Sequence, residues 1–326
     1  MEKLSIGVIG TGHMGLNHVR SLSEDNRFNL VGIFDTNPEQ AGKIAQRYGV
    51  KIFSSLEELL DKVEAVVIAV PSSLHKQIGL MVAGHKVHAL IEKPLATTSQ
   101  DAEELVAAYE DNGLKLQVGH IERYNPVFKE LLKLVNPDNV FYTDICRYSP
   151  FSGSGRITDT SVVEDLMIHD VDLLCTLLGN KEISSIESRG EIVFSDRIDF
   201  ATCMFDFKNS GHAVVHASRV SQNKERKIII HSTDCCIQAD LLAKTLDVYK
   251  NTNITVDLSD SSSYKQDGIV QKIYVPIEEP LKAEHVAFYN AIVKDTPIEV
   301  DGRAGVNAIK ICEQIVKDIY DNRESA

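Results

Sequence analysis

The chain has 326 residues, 43% hydrophobic and 25% charged, with a formal net charge of −13, which fits a soluble globular protein of about two domains. The negative balance, with no basic cluster denser than the stretch NKERK at 223–227, argues against nucleic acid as a partner. No apolar run reaches the ~20 residues of a membrane span, and MEKLSIGVIG enters a strand with no signal-peptide pattern, so no membrane role and a cytoplasmic location are expected.

Six cysteines, none in a CxxC pair and most inside apolar runs, read as reduced core thiols. No spacing of His, Cys or acidic residues suggests a metal site; His212, His216 and His231 read as core or interface histidines.

From the N-terminus, strand and helix alternate. LSIGVI (4–9) reads as a strand. The glycine motif GTGHMG follows it and opens a helix over 14–22. Gly10 permits the tight turn, Gly12 lets a pyrophosphate approach the backbone, and Gly15 lets helix and strand pack closely. Gly10, Gly12, His13, Met14 and Gly15 are therefore cofactor-binding candidates. The second strand, 30–34, ends at Asp35, twenty residues after Gly15. A carboxylate there can accept hydrogen bonds from ribose hydroxyls and repels a 2′-phosphate, and Thr36 and Asn37 offer no cation against that repulsion. The cofactor expected is NAD. Pro38 opens a helix, Ser55 with Glu58 fits a capping box, and AVVIAV (65–70) is the unbroken apolar run of a strand covered on both faces. A helix over 74–83, a strand KVHALIE ending in EKPLA (92–96), a helix ending at Gly113 and a strand over 115–119 complete the first part. Lys93 lies at the carboxyl end of a strand, the edge at which such sheets bind ligands.

After Tyr124 the rhythm changes. A helix over 125–135 and one over roughly 162–178 are followed by strands with little helix between them, at 182–194, 199–207, 211–220, 226–232 and 235–240. The stretch 259–268 reads as an exposed loop, and helices over about 281–294 and 303–321 close the chain. The expected architecture is α/β: a doubly wound parallel Rossmann sheet over 1–123, and over 124–326 an α+β domain with a mainly antiparallel, open-faced sheet that binds substrate and forms oligomers. Residues of both parities in these strands are apolar, including Phe200, Met204, Phe205 and Phe207. Both faces are thus expected to be covered, the second by another subunit in a homodimer or homotetramer.

GVIGTGHMG, VPSSLH at 70–75, EKPLA and EDLMIHDVD at 164–172 occur in an order that resembles the glucose–fructose oxidoreductase/inositol dehydrogenase/rhizopine catabolism (Gfo/Idh/MocA) family over nearly the whole chain. The resemblance implies that Lys93 is catalytic, that the Lys93–Pro94 bond is cis, and that the D-x-x-x-H pair Asp165 and His169 supplies the acid–base group, with Asp172 three residues further on. It also implies that Pro71, Ser72, His75 and Glu92 lie with Lys93 at the cofactor. Spacing i, i+4 on a helix puts Asp165 and His169 on one face, where a carboxylate can orient an imidazole. Arg123 and Tyr124, Tyr148, and Arg156 in the loop SPFSGSGR are candidate substrate contacts, together with Asp165 and His169. VGHIERYNP at 118–126 with DLMIHDVD resembles the sugar-nucleotide branch of the family. That branch implies oxidation of a sugar 3-hydroxyl, with an aminotransferase as the next enzyme on a route to 3-amino sugars for lipid A. The alternatives are a dehydrogenase of an inositol or a free sugar, and a dinucleotide-sensing regulator without turnover.

Overall fold

The computed structural model of the chain describes residues 3–150, 160–179, 181–208, 210–256 and 264–324. In chain order these form β1 (Leu4–Ile9), α1 (His13–Ser23), β2 (Phe28–Phe34), α2 (Pro38–Tyr48), α3 (Leu56–Leu60), β3 (Ala65–Ile68), α4 (His75–Gly84), β4 (His88–Glu92), α5 (Ser99–Asp111) and β5 (Leu116–Gly119). Then come α6 (Pro126–Leu134), β6 (Val140–Tyr148), α7 (Ile168–Leu177), β7 (Ile183–Glu191), β8 (Phe200–Phe207), β9 (Ser210–Ser218), β10 (Glu225–Ser232), β11 (Cys235–Asp240), β12 (Thr245–Val256), β13 (Tyr264–Lys272), α8 (Pro280–Val293) and α9 (Gly302–Glu324). The chain divides into two compact units, Met1–Tyr124 with Glu278–Glu313, and Asn125–Ile277 with Gln314–Ala326.

The first unit is built on a five-stranded parallel sheet in the order β2-β1-β3-β4-β5. All four residues of β3 are buried, as a central strand covered on both faces requires. Local chemistry starts the helices where the sequence reading places them. Asn37 caps α2 by accepting from the Glu39 and Gln40 N–H groups, with Pro38 in its first turn. Ser55 accepts from the Glu58 N–H, while the Glu58 carboxylate takes the Ser54 N–H and hydroxyl, one residue away from the capping-box partner expected. The sequence reading assigns everything after 123 to the second domain. In the structure 278–313 returns to the first unit, because Phe288 and Tyr289 of α8 join Ile6, Val19 and Leu90 in its core.

The second unit carries an eight-stranded sheet in the order β13-β12-β11-β10-β6-β9-β8-β7, antiparallel except for the β6–β9 pair. Strands β6, β12 and β13 occupy stretches where the sequence reading marks none. In β6 the polar Thr143 and Arg147 occupy the buried face and break the apolar alternation. β13 is the edge strand and β12 lies between it and β11, and both mix polar with apolar residues without a long apolar run. Residues 264–268, read as loop, belong to β13; the rest of that expected loop, from 259 to 263, lies outside the described residues. Helix α6 packs on β11 and β12, and α7 on β6, covering one face. On the other face of the single chain Phe200 and Val214 are half-buried, and Met204 and Tyr249 are 38% and 37% exposed. Among the described residues no helix is long and apolar enough to cross a membrane.

Candidate active site

In the first unit the strand order reverses at β1, whose neighbours are β2 and β3, and ligands bind such sheets at the carboxyl ends of the strands beside that point. The glycine loop lies there. Gly10 has φ +86°, and a Cβ on it would stand 2.6 Å from the Ala69 carbonyl oxygen. A Cβ on Gly15 would collide with the Gly10 carbonyl oxygen. Gly12, by contrast, has nothing within 4 Å of that position, and α1 starts with no side-chain cap. The loop thus offers open space and unclaimed helical N–H groups, the surroundings a pyrophosphate needs. His13 is exposed and Met14 half-buried. Asp35 holds the loop: its Oδ2 accepts from the Thr11 N–H and hydroxyl, each at 2.6 Å, and its Oδ1 from the Asn37 N–H at 2.8 Å.

The next two strand ends are joined through His75. Its ring is 1% exposed, with Nε2 3.0 Å from the Val70 carbonyl oxygen and Nδ1 2.7 Å from that of Pro94. Burial lowers the His75 pKa, against the pull of the Pro94 and Val70 carbonyls and the Glu92 charge. His75 therefore lies between the turn after β3 and the turn after β4 rather than presenting its ring outward. Pro71 is exposed and Ser72 half-buried at the start of a single turn of 3-10 helix, Ser72–Leu74. The Lys93–Pro94 bond is cis, as the family resemblance implies. Lys93 is half-buried, whereas the Glu92 carboxylate turns inward, its Oε1 2.9 Å from His18 Nε2. Beyond β5, Arg123 donates to the Glu299 carbonyl at 3.3 Å, and Tyr124 is fully buried.

Sequence reasoning missed the acid behind this edge. Glu284 of α8 is fully buried, and among the described residues neither carboxyl oxygen has a hydrogen-bond partner. Burial, with the Glu92 charge, holds its pKa well above the ordinary 4.5, so the folded protein keeps this proton where the unfolded chain has lost it. The stabilisation is complete below about pH 4.5 and is lost as pH rises through the folded value. Glu284→Gln removes that dependence. Its thermal midpoint relative to the wild type is expected to climb steadily as the pH of the melt is raised above 4.5, and a constant offset across the pH series would show that Glu284 is not the titrating group.

In the second unit the helix expected over 162–178 is two segments: a π-turn, Val163–Met167, and then α7. Ser161 and Glu164 start it with a reciprocal cap, the Ser161 N–H donating to the Glu164 carboxylate and the Glu164 N–H to the Ser161 hydroxyl. Asp165 sits inside the π-turn and His169 in the first turn of α7, both half-buried, while Asp172 is buried. Single π-turns recur at functional sites. Two buried arginines hold this one at its ends. On the N-terminal side Arg219 pairs with Asp199 at 2.7 Å and donates to the Thr160 carbonyl at 2.9 Å. On the C-terminal side Arg147 of β6 grips Asp170, next to His169, with contacts of 2.7–3.0 Å. Neither arginine was singled out from sequence. The available signal was a charged residue at a buried strand position. Tyr148, half-buried at the end of β6, has its pKa raised by burial and then by Cys146, Asp144 and Glu225. Arg156 lies outside the described residues.

Comparison with known proteins places these features in context. Residues 4–120 match the oxidoreductase family, NAD-binding Rossmann fold, of the GFO/IDH/MocA group, and residues 141–238 match the GFO/IDH/MocA C-terminal domain. The chain is 30% identical to the UDP-N-acetylglucosamine 3-dehydrogenase of Acidithiobacillus ferrooxidans over 97% of each chain. The solved structure of that enzyme matches with a TM-score of 0.88 over 98% of each chain. An inositol 2-dehydrogenase of Rhizobium meliloti is 21% identical over 98% of this chain and 97% of its own. At 20% identity, GenD2 from gentamicin A biosynthesis, solved in complex with NAD, shares the fold with a TM-score of 0.82 over 99% of this chain and 95% of its own.

Proposed function

The chain belongs to the Gfo/Idh/MocA oxidoreductase family, and on that premise we propose that it oxidises the 3-hydroxyl of UDP-N-acetylglucosamine to a 3-keto sugar nucleotide with NAD as acceptor. The observation that carries the substrate is the 30% identity to the Acidithiobacillus ferrooxidans enzyme, which extends over 97% of both chains. Bound NAD supplies an electrophilic nicotinamide carbon that accepts the hydride. The chain's own residues supply the rest. Gly12 and the start of α1 hold the pyrophosphate, and Asp35 the adenosine ribose. His169, oriented by Asp165, takes the hydroxyl proton, and Lys93 stabilises the developing alkoxide by charge and hydrogen bonding. Arg123, Tyr148 and Arg156 are the substrate contacts in this reading, Arg156 toward the diphosphate, and Tyr124, fully buried, is not among them.

Purified protein incubated with NAD and a panel of UDP-N-acetylglucosamine, other sugar nucleotides, free sugars and inositols, followed by NADH absorbance, tests this directly. Turnover is expected with UDP-N-acetylglucosamine. Faster turnover of an inositol or a free sugar would move the substrate class, and NAD binding without turnover of any member would point to a sensor. In the same assay NAD is expected to outperform NADP, because the Asp35 carboxylate repels a 2′-phosphate with no cation at Thr36 or Asn37 to offset it. Equal or better turnover with NADP would overturn the role given to Asp35.

The half-covered face of the second unit's sheet, with Phe200, Met204, Val214 and Tyr249, is proposed as the seat of a second copy. A homodimer or homotetramer is expected by light scattering at micromolar concentration, and a monomer would refute it.

A further inference from the structure

Behind Lys93 lies a buried run of polar side chains that the proposed chemistry does not use. His18 of α1 is fully buried between two partners, with Nε2 2.9 Å from Glu92 Oε1 and Nδ1 2.8 Å from His285 Nε2. His285 Nδ1 is in turn 3.0 Å from the Ser21 hydroxyl oxygen. At the other end, Glu92 Oε2 accepts from the Lys93 backbone N–H at 3.3 Å. Two imidazoles in series inside an apolar core are costly unless every nitrogen finds a partner, and here each does.

One donor order satisfies the whole run with both rings neutral. A carboxylate only accepts, so His18 Nε2 carries a hydrogen. His18 Nδ1 then accepts from His285 Nε2–H, and His285 Nδ1 accepts from the Ser21 hydroxyl. Burial holds the His285 pKa well below its ordinary value, which keeps that ring neutral. Burial pushes the Glu92 pKa up, but the hydrogen bond from His18 and the charge and N–H of Lys93 outweigh it and the net shift is down, which keeps the acceptor ionised. The groups around Glu92 are His18 from α1, His75 from α4, Glu284 from α8 and Lys93 on its own strand. On β5 the neighbour is Gly119, where a Cβ would stand 3.0 Å from Glu92 Oε2, so the seat is shaped for this carboxylate.

We propose that Glu92, held by His18 and through it by His285, is a positioning residue for Lys93, coupling the helix that opens on the dinucleotide loop to the strand end that carries the catalytic lysine. One carboxylate oxygen is tied to α1 and the other to the main chain at the base of Lys93. This inference rests on the reading of Lys93 as catalytic.

A double-mutant cycle with the intact protein, run on the panel substrate that the wild type turns over fastest, separates the two ideas. Glu92→Gln keeps the size of the side chain but leaves one acceptor where two are needed. It is expected to lower kcat about 10²-fold, the scale of a small misplacement of a reacting group, with the KM for NAD and the thermal midpoint near wild type. Glu92→Asp, which keeps both acceptors, should recover part of that loss. The Glu92→Gln/Lys93→Ala double variant should be no slower than Lys93→Ala alone. Wild-type kcat in Glu92→Gln beside an inactive Lys93→Ala overturns the positioning role and leaves the lysine reading intact. A fully active Lys93→Ala overturns the lysine reading itself. Additive losses in the cycle, or a fall in NAD affinity and thermal midpoint matching the loss of kcat, would make the network structural only. Should Glu92→Gln fail to fold, His18→Phe keeps a ring in place and removes the donor. It is expected to show the same loss confined to kcat, and an unchanged kcat in it would refute the proposal.

Discussion

Lys93→Ala and His169→Ala are each expected to bind NAD normally and to lose about 10²–10⁴-fold in kcat, the contribution typical of a positioned acid–base group. Both residues are half-buried, so truncation opens no deep core cavity, and the thermal midpoints should stay close to wild type. Asp165→Asn keeps the shape of a side chain whose proposed work is to orient His169, so its kcat should fall between those variants and the wild type. The readouts are steady-state NADH formation and dinucleotide binding by calorimetry. An unchanged kcat in His169→Ala would move the proton acceptor elsewhere, with Lys93 the next candidate.

Arg147→Met, by contrast, should be strongly destabilising. Arg147 and Asp170 have side chains 2% and 1% exposed, and the pair links β6 to α7. Removing the guanidinium leaves the Asp170 carboxylate buried without its cation, a change that costs about 3–5 kcal/mol in comparable pairs. Replacing both partners, as in Arg147→Met with Asp170→Leu, removes the stranded charge and should recover much of that loss. Denaturant unfolding of the single and double variants decides the matter. A single variant within about 0.5 kcal/mol of wild type, the scale of an ordinary surface substitution, would show that the pair is not the clamp it looks to be. Because Asp170 follows His169 directly, the double variant also asks whether stability and catalysis separate at this point. Restored stability with lowered kcat would give the arginine a second duty in aiming His169.

The parallel sheet was legible because its physics is local. Runs such as AVVI are apolar throughout, and Asn37, Pro38 and Ser55 mark helix starts by chemistry confined to one turn. The glycine loop was legible for the same reason, since Gly10 and Gly15 answer to close backbone approaches within a few residues or across one strand. Features fixed by distant partners did not show. Strand β6 hides because its buried face carries Arg147, whose compensating Asp170 is 23 positions away. The π-turn has no compositional mark, and the reading of 162–178 as one continuous helix missed it. His18 and His285 read singly as polar interruptions of apolar helices, and only the fold, across 267 positions of sequence, makes them neighbours.

The return of the chain to its first unit bears on the order in which the protein can form during synthesis. Phe288 and Tyr289 complete a core that begins at Leu4, so the first unit cannot close its interior when residue 124 leaves the ribosome. At translation rates of roughly 5–20 residues per second, the early strands wait many seconds with part of their apolar surface bare. The second unit waits too, because 314–326 belong to it. Each unit is finished by a segment that follows part of the other in the chain. Until then the nascent chain keeps part of its apolar core surface exposed, and a fragment ending between the two halves is expected to aggregate rather than to form an autonomous dinucleotide-binding module.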